Sequence, residues 1–247
     1  MVIKCLENYE AISSHAADIV AAAILEKPTG VFGFATGSTP VGLYKSLIAR
    51  YQCGEITFSR LTTMNLDEYV GLSADHEQSY RSFMQRHLFG HVDVRPECIY
   101  FPPESKDPSA FDDLIQNKGG IDLQILGLGS NGHIGFNEPG SAFDSRTRVV
   151  GLASSTIRDN ARFFEHSRDV PRQAVTMGIR TILEARQILL LASGANKADA
   201  VVRSLEGPQT ENVPGSCLQS HHNVTVLLDD AAAAGLTRTR NKDLVYS

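Results

Sequence analysis

Residues 121–140 read IDLQILGLGSNGHIGFNEPG. The run Ile121-Asp122-Leu123-Gln124-Ile125-Leu126 has the branched, apolar make-up of a buried strand. It breaks into Gly127, Gly129 and Gly132. Out of that glycine loop come His133, Asn137 and Glu138, closed by Pro139-Gly140. A strand that enters a glycine-rich turn and then presents a histidine and a carboxylate is how an open α/β sheet displays chemistry at its strands' carboxyl ends. Taken alone, the stretch fits a surface loop with a solvated histidine equally well, because glycine clusters are common in such loops.

The chain on either side alternates steadily. Apolar runs predict strands over 2–6, 31–36, 61–66, 98–101, 149–152, 187–192 and 224–228. Between them, helical periodicity predicts helices over 8–26, 40–51, 78–89, 109–117, 154–164 and 179–185, with another ending near 205 and an alanine-rich one after 228. This is the pattern of an α/β domain: an open, largely parallel, twisted sheet with helices on both faces, a three-layer, Rossmann-like arrangement. No composition shift marks a linker, so residues 1–236 are expected to form one domain and 237–247 a polar C-terminal tail.

Composition narrows the function. The chain has 247 residues, 42% of them hydrophobic, with a net charge of −5. An acidic balance argues against nucleic acid as a partner, which calls for a basic face. No stretch approaches the ~20 apolar residues that span a bilayer, so no membrane partner is expected either. The 4 cysteines, Cys5, Cys53, Cys98 and Cys217, are scattered and form no CxxC pair. They read as reduced thiols of a cytoplasmic protein, not as a zinc site or a disulfide framework. The N-terminus lacks the apolar core of a signal peptide.

Three more stretches join the glycine loop. Gly37-Ser38-Thr39-Pro40 follows a strand and opens a helix. Its backbone N–H groups and hydroxyls sit at the positive end of that helix, which suits a phosphate. Equally, Ser38 or Thr39 serves as an ordinary cap. The turn lacks the spacing and the lysine of a Walker A loop. Asp67-Glu68 ends another strand, and paired carboxylates there are either candidates for acid/base work or simply solvated. Ser193-Gly194-Ala195-Asn196-Lys197 brings a lysine to a helix start after a strand, within reach of an anion. Arg158 and Arg162, four apart, share a helix face as a solvated stripe or as anion ligands.

At the strand ends of one sheet these groups offer an anion cradle with a cation, a carboxylate base, and a histidine that a carboxylate can orient. That set suits proton transfers on a small phosphorylated sugar, with the phosphate as an anchor away from the reacting atoms. No nucleophile elbow or metal-ligand spacing appears, so acid/base chemistry with no cofactor and no metal is the simplest account.

The residues also resemble a known family. Ala35 to Pro40 (ATGSTP), Asn65 to Gly71 (NLDEYVG), Gly127 to Gly140 (GLGSNGHIGFNEPG), Ser145 to Arg148 (SRTR), Ala161 to Phe164 (ARFF) and Ser193 to Ala198 (SGANKA) occur in the order and spacing of glucosamine-6-phosphate deaminases. The resemblance runs over roughly residues 2–236. It implies conversion of glucosamine 6-phosphate and water to fructose 6-phosphate and ammonia. It implies Asp67 as the base at C2, His133 in ring opening with Glu138 in support, and phosphate held by Thr36, Gly37, Ser38, Thr39, Arg162 and Lys197. Arg158 stays a surface residue.

Two departures stand out. Asn131 occupies a position that is aspartate in some family members. An amide there can orient the His133 ring by hydrogen bonding but cannot stabilise an imidazolium by charge. Members activated by N-acetylglucosamine 6-phosphate use an arginine and a lysine after the NEP segment; Arg148 matches the first, but Val150 stands at the second. Little or no such activation is expected. The oligomeric state is left open, a homo-oligomer included. The rival readings are a 6-phosphogluconolactonase, which shares the glycine-serine-threonine turn and the GxGxxGH segment but lacks the Phe136-Asn137-Glu138-Pro139 run, and a noncatalytic sugar-phosphate sensor, which would keep the cradle and lose the catalytic set.

Overall fold

The computed structural model describes residues 1–105, 107–153, 156–158, 164, 166, 169–237 and 244–245. Its strands are β1 (Val2–Leu6), β2 (Val31–Phe34), β3 (Thr62–Asn65), β4 (Asp67–Tyr69), β5 (Ile99–Tyr100), β6 (Leu123–Gly127), β7 (Arg148–Gly151), β8 (Gln173–Thr176), β9 (Gln187–Ala192), β10 (Val224–Asp229) and β11 (Leu244–Val245). Its α-helices are α1 (Tyr9–Glu26), α2 (Val41–Gln52), α3 (Tyr80–His87), α4 (Ala110–Asn117), α5 (Ile179–Leu183), α6 (Ala198–Leu205) and α7 (Asp230–Ala233).

Among the described residues eight strands form one open sheet, in the order β11-β1-β10-β9-β6-β2-β3-β5. All its pairings are parallel except that of β1 with β11. The open α/β sheet expected from the sequence is therefore present. Alternation along each strand builds its two cores. In β9, Ile188 and Leu190 enter one cluster, with α4, α5, α6 and α7. Leu189 and Leu191 point the other way, into the cluster made with α1, α2 and α3. All four are at most 1% exposed, and burial of each side chain contributes roughly 1.5–3 kcal/mol. Helix α1 begins where Asn8 caps it, its side chain accepting from Ala11 N at 2.9 Å.

Two features depart from the sequence expectation. Residues 67–69 form a strand, not a loop: β4, β8 and β7 make a second, antiparallel sheet. The chain leaves the main sheet at Leu66, whose carbonyl accepts from Met177 N at 2.8 Å, and Asp67 then pairs with Thr176. The expected polar tail also contributes Leu244–Val245 to the free edge of β1, which satisfies backbone groups left unpaired there. Of the helix expected over 154–164, Thr156 to Arg158 are helical and most of the remainder lies outside the described residues.

The strand order reverses between β6 and β2. From β2 the chain proceeds to β3 on one side, and from β6 to β9 on the other. Such a switch point opens a crevice beyond the strands' carboxyl ends, where ligands bind in this architecture.

Candidate active site

A cleft occupies that crevice. It is lined from four strand ends: Thr36, Gly37, Ser38 and Thr39 after β2, Asp67 after β3, Gly129 and His133 after β6, and Lys197 after β9. Its volume is about 200 Å³, below the range usual for drug-sized ligands, about 300–1,000 Å³.

In the turn after β2, Gly37 has φ +93°, a left-handed conformation that a residue with a Cβ resists. Neither Ser38 nor Thr39 caps α2: its N-cap is Pro40, with no side-chain hydrogen bond. Lys197 ends a one-turn 3-10 helix, Ala195–Lys197. The turn before it is held by Asp229, which accepts from Ser193 Oγ and from Gly194 N at 3.0 Å. The Ser193 hydroxyl is thus committed to the fold. Arg162 lies outside the described residues, and Arg158 is exposed.

The two adjacent carboxylates separate completely. Asp67 lines the cleft and is 5% exposed. Burial pushes its carboxyl up to about 8, and the Glu68 charge adds to the shift. Alternation along β4 sends Glu68 elsewhere. Its Oε1 accepts from Tyr69 N at 2.9 Å and Tyr80 N at 2.8 Å, and its Oε2 from Arg81 N at 2.9 Å. Glu68 therefore satisfies the first turn of α3, where a negative charge is favoured.

His133 and Glu138 meet as the sequence suggested. Nδ1 of His133 is 3.5 Å from Glu138 Oε2, near enough for charge stabilisation but without an ordinary hydrogen bond. Burial alone would raise the Glu138 carboxyl. His133, a hydrogen bond from Thr156 Oγ1 and one from Asn131 Nδ2 outweigh it and hold the group at about 2. Asn131 differs from expectation: its bonds do not run to the ring. Its Nδ2 donates to Glu138 Oε2 at 2.7 Å, and its Oδ1 accepts from His133 N at 3.1 Å. It ties the two ends of the 131–138 loop and orients the carboxylate.

Sequence reasoning missed several participants. Tyr80 lines the cleft and stacks on Phe136 with 5.8 Å between ring centroids. Burial pushes its phenol well above the ordinary value, with Tyr69 and Asp67 adding to this, so it is an O–H donor. Tyr80 falls within the helix predicted over 78–89, and a cleft wall leaves the same apolar signal as a core. Thr156 and Thr176 carried no local signal. Asn137, which the sequence places beside His133 and Glu138, is instead a brace: it is fully buried, donating to Ile134 O and Met177 O and accepting from Arg148 Nη1 at 2.9 Å. Among the described residues no three His, Cys, Asp or Glu side chains converge as a metal site, and no helix is long and apolar enough to cross a membrane.

A desolvated carboxyl, a histidine backed by an ionised glutamate and a glycine-serine-threonine turn with a lysine in one cleft suit proton transfer on a small anionic molecule. The chain belongs to the family of glucosamine-6-phosphate isomerases and 6-phosphogluconolactonases, whose model matches residues 7–227. Within that family its similarity is to deaminases. It is 53% identical over 244 residues to glucosamine-6-phosphate deaminase 2 of Bacillus subtilis (strain 168), covering 96% of this chain and 98% of that one. It superposes with a TM-score of 0.92 on a monomeric glucosamine-6-phosphate deaminase of 46% identity, over 96% of this chain and 100% of the other. The 6-phosphogluconolactonase of Trypanosoma brucei, at 19% identity and a TM-score of 0.76 over 95% of this chain and 98% of that one, shares the fold alone.

Proposed function

We propose that this chain is a glucosamine-6-phosphate deaminase, an enzyme of amino-sugar catabolism that converts glucosamine 6-phosphate and water to fructose 6-phosphate and ammonia. The observation that carries this reading is the buried Asp67 carboxyl in one cleft with the His133–Glu138 pair and the Gly37–Thr39 turn. Relatives of about half identity that bear the deaminase name support it.

The phosphate is held by the Thr36–Thr39 turn and Lys197, with Arg162 as a further ligand. His133, backed by Glu138, moves the proton that opens the pyranose ring to the aldehyde. Asp67 takes the proton from C2 as the aldehyde oxygen gains one, giving an enolamine. The proton returns at C1, leaving an iminium at C2. Water adds there and ammonia leaves, so C2 becomes the ketone and C1 the CH2OH of fructose 6-phosphate. Every step is a proton transfer, an addition or an elimination, and the groups named suffice. The chain acts as one catalytic domain of a cytoplasmic enzyme whose partner is a small sugar phosphate, and with Val150 in place of a lysine it works without N-acetylglucosamine 6-phosphate.

The test is to supply glucosamine 6-phosphate or 6-phosphogluconolactone to the purified chain. Ammonia and fructose 6-phosphate formed one to one from the first is the expected result. Lactone hydrolysis without deamination would assign the chain to the other branch of its family. Binding with neither reaction would make it a sensor.

A further inference from the structure

Helix α2 starts without a side-chain cap from its own turn, because Pro40 stands at the N-cap; the turn offers only the Ser38 carbonyl, which accepts from Val41 N at 3.4 Å. The missing cap comes from a different helix. Tyr9, the first residue of α1, has its hydroxyl 3.0 Å from Ser38 O and 3.0 Å from Thr39 O, and that hydroxyl accepts from Gly42 N at 2.8 Å. One phenolic proton is shared by two carbonyls, and a lone pair satisfies an N–H in the first turn of α2 that would otherwise be orphaned.

This has a directional effect. In a planar trans peptide the carbonyl and the N–H point opposite ways. With the Ser38 carbonyl drawn to Tyr9, the Thr39 N–H points away from Tyr9. Ser38 and Thr39 line the cleft, and Tyr9 stands outside it. The side chains that would normally cap α2 are released from that task.

We propose that Tyr9 is a positioning residue for the phosphate monoester of the substrate. Its hydroxyl caps α2 from outside the cleft and so leaves the Ser38 and Thr39 hydroxyls and the Thr39 N–H for the ligand. The inference rests on the reading of the Gly37–Thr39 turn as the phosphate site.

The experiment compares Tyr9→Phe, which removes the hydroxyl alone, with Ser13→Ala. Ser13 Oγ donates to Tyr9 O at 2.8 Å and packs against Gly42, so its loss perturbs the same α1–α2 contact while keeping the Tyr9 hydroxyl. Tyr9→Phe is expected to raise the KM for glucosamine 6-phosphate and the inhibition constant of inorganic phosphate by one common factor. That factor is roughly fivefold to twentyfold, the scale of one or two lost hydrogen bonds. Its kcat stays close to wild type, and Ser13→Ala changes neither constant. Thr39→Ala serves as the control for the phosphate site. If Thr39→Ala raises both constants and Tyr9→Phe leaves them unchanged, the role of Tyr9 is refuted and the phosphate site stands. If Tyr9→Phe and Ser13→Ala instead lose kcat and melting temperature in parallel, Tyr9 is only a packing residue. If Thr39→Ala and Lys197→Ala both leave the constants unchanged, the phosphate site itself is misplaced and the proposal goes with it.

Discussion

The imidazole of His133 lies so close over Gly129 that a Cβ on that glycine would fall 2.3 Å from ring Cε1. The ring's position beside Glu138 therefore depends on the absence of a side chain at position 129. Gly129→Ala is expected to push the ring out of register with the carboxylate. A misplacement on the order of 1 Å can cost about 100-fold in rate, so kcat should fall roughly 10- to 100-fold while KM, set on the phosphate side, changes little. Steady-state kinetics checks this. An unchanged kcat would mean that the ring need not hold this position.

Asp67 makes a prediction about pH. Its carboxyl is pushed up to about 8 by burial, with Glu68 adding to it, and a base works only when ionised. In the free enzyme, kcat/KM should therefore rise with pH and level off above about 8. The substrate's ammonium favours the carboxylate, so the matching limb of kcat lies at lower pH. A profile of kcat/KM flat through this range would mean that Asp67 is already ionised in the empty cleft.

The same shift has a stability sign. The folded value, about 8, exceeds the ordinary 3.8. This contribution is fully present below the ordinary value and is lost as pH rises through the folded one. Asp67→Asn, which never ionises, should melt above wild type near pH 8, with the gap closing toward pH 4. Thermal melts across that range test the sign; a gap that widens toward acid would reverse it.

Glu138 shifts the other way, to about 2, so its stabilisation is present above the ordinary 4.5 and fades only as pH falls through the folded value. Asn131→Ala removes the 2.7 Å bond to Glu138 Oε2. A lost bond to a charged group costs about 1.5–3 kcal/mol. The variant should melt below wild type at neutral pH and approach it toward pH 2, with kcat lowered by about tenfold or more. Equal melting at neutral pH would remove Asn131 from this role.

Glu68 separates a cap from a base. Glu68→Ala leaves the first-turn N–H groups of α3 without their acceptor. The expected loss is about 1–2 kcal/mol, or a few degrees in melting temperature for a chain of this size. Turnover should fall far less than for a lost base. A collapse of kcat with no loss of stability would exchange the roles of the two carboxylates.

Most of the main sheet was legible because its strands are short, mostly apolar runs and its helices carry an apolar stripe. The cleft was legible wherever a functional group follows such a strand directly, as Asp67, His133 and Lys197 do. The small sheet was not, because Asp67-Glu68-Tyr69 looks like a polar loop and its partner β8 lies more than a hundred residues away in the chain. Glu68 was ambiguous because its acceptors' partners, Tyr80 N and Arg81 N, are backbone groups that leave no mark on sequence. Asn131 was assigned to the His133 ring, but its amide spans the loop and bonds the Glu138 carboxylate. Tyr9 was invisible for a related reason: it acts on carbonyls 29 and 30 residues away.

Asp67→Asn asks whether the buried carboxylate is the base that moves the sugar proton. The amide keeps the size and burial of the side chain and removes its basicity. Production of ammonia and fructose 6-phosphate should fall by at least about 100-fold, with the affinity for glucosamine 6-phosphate, measured by calorimetry, essentially retained. Turnover near the wild-type rate would contradict that role.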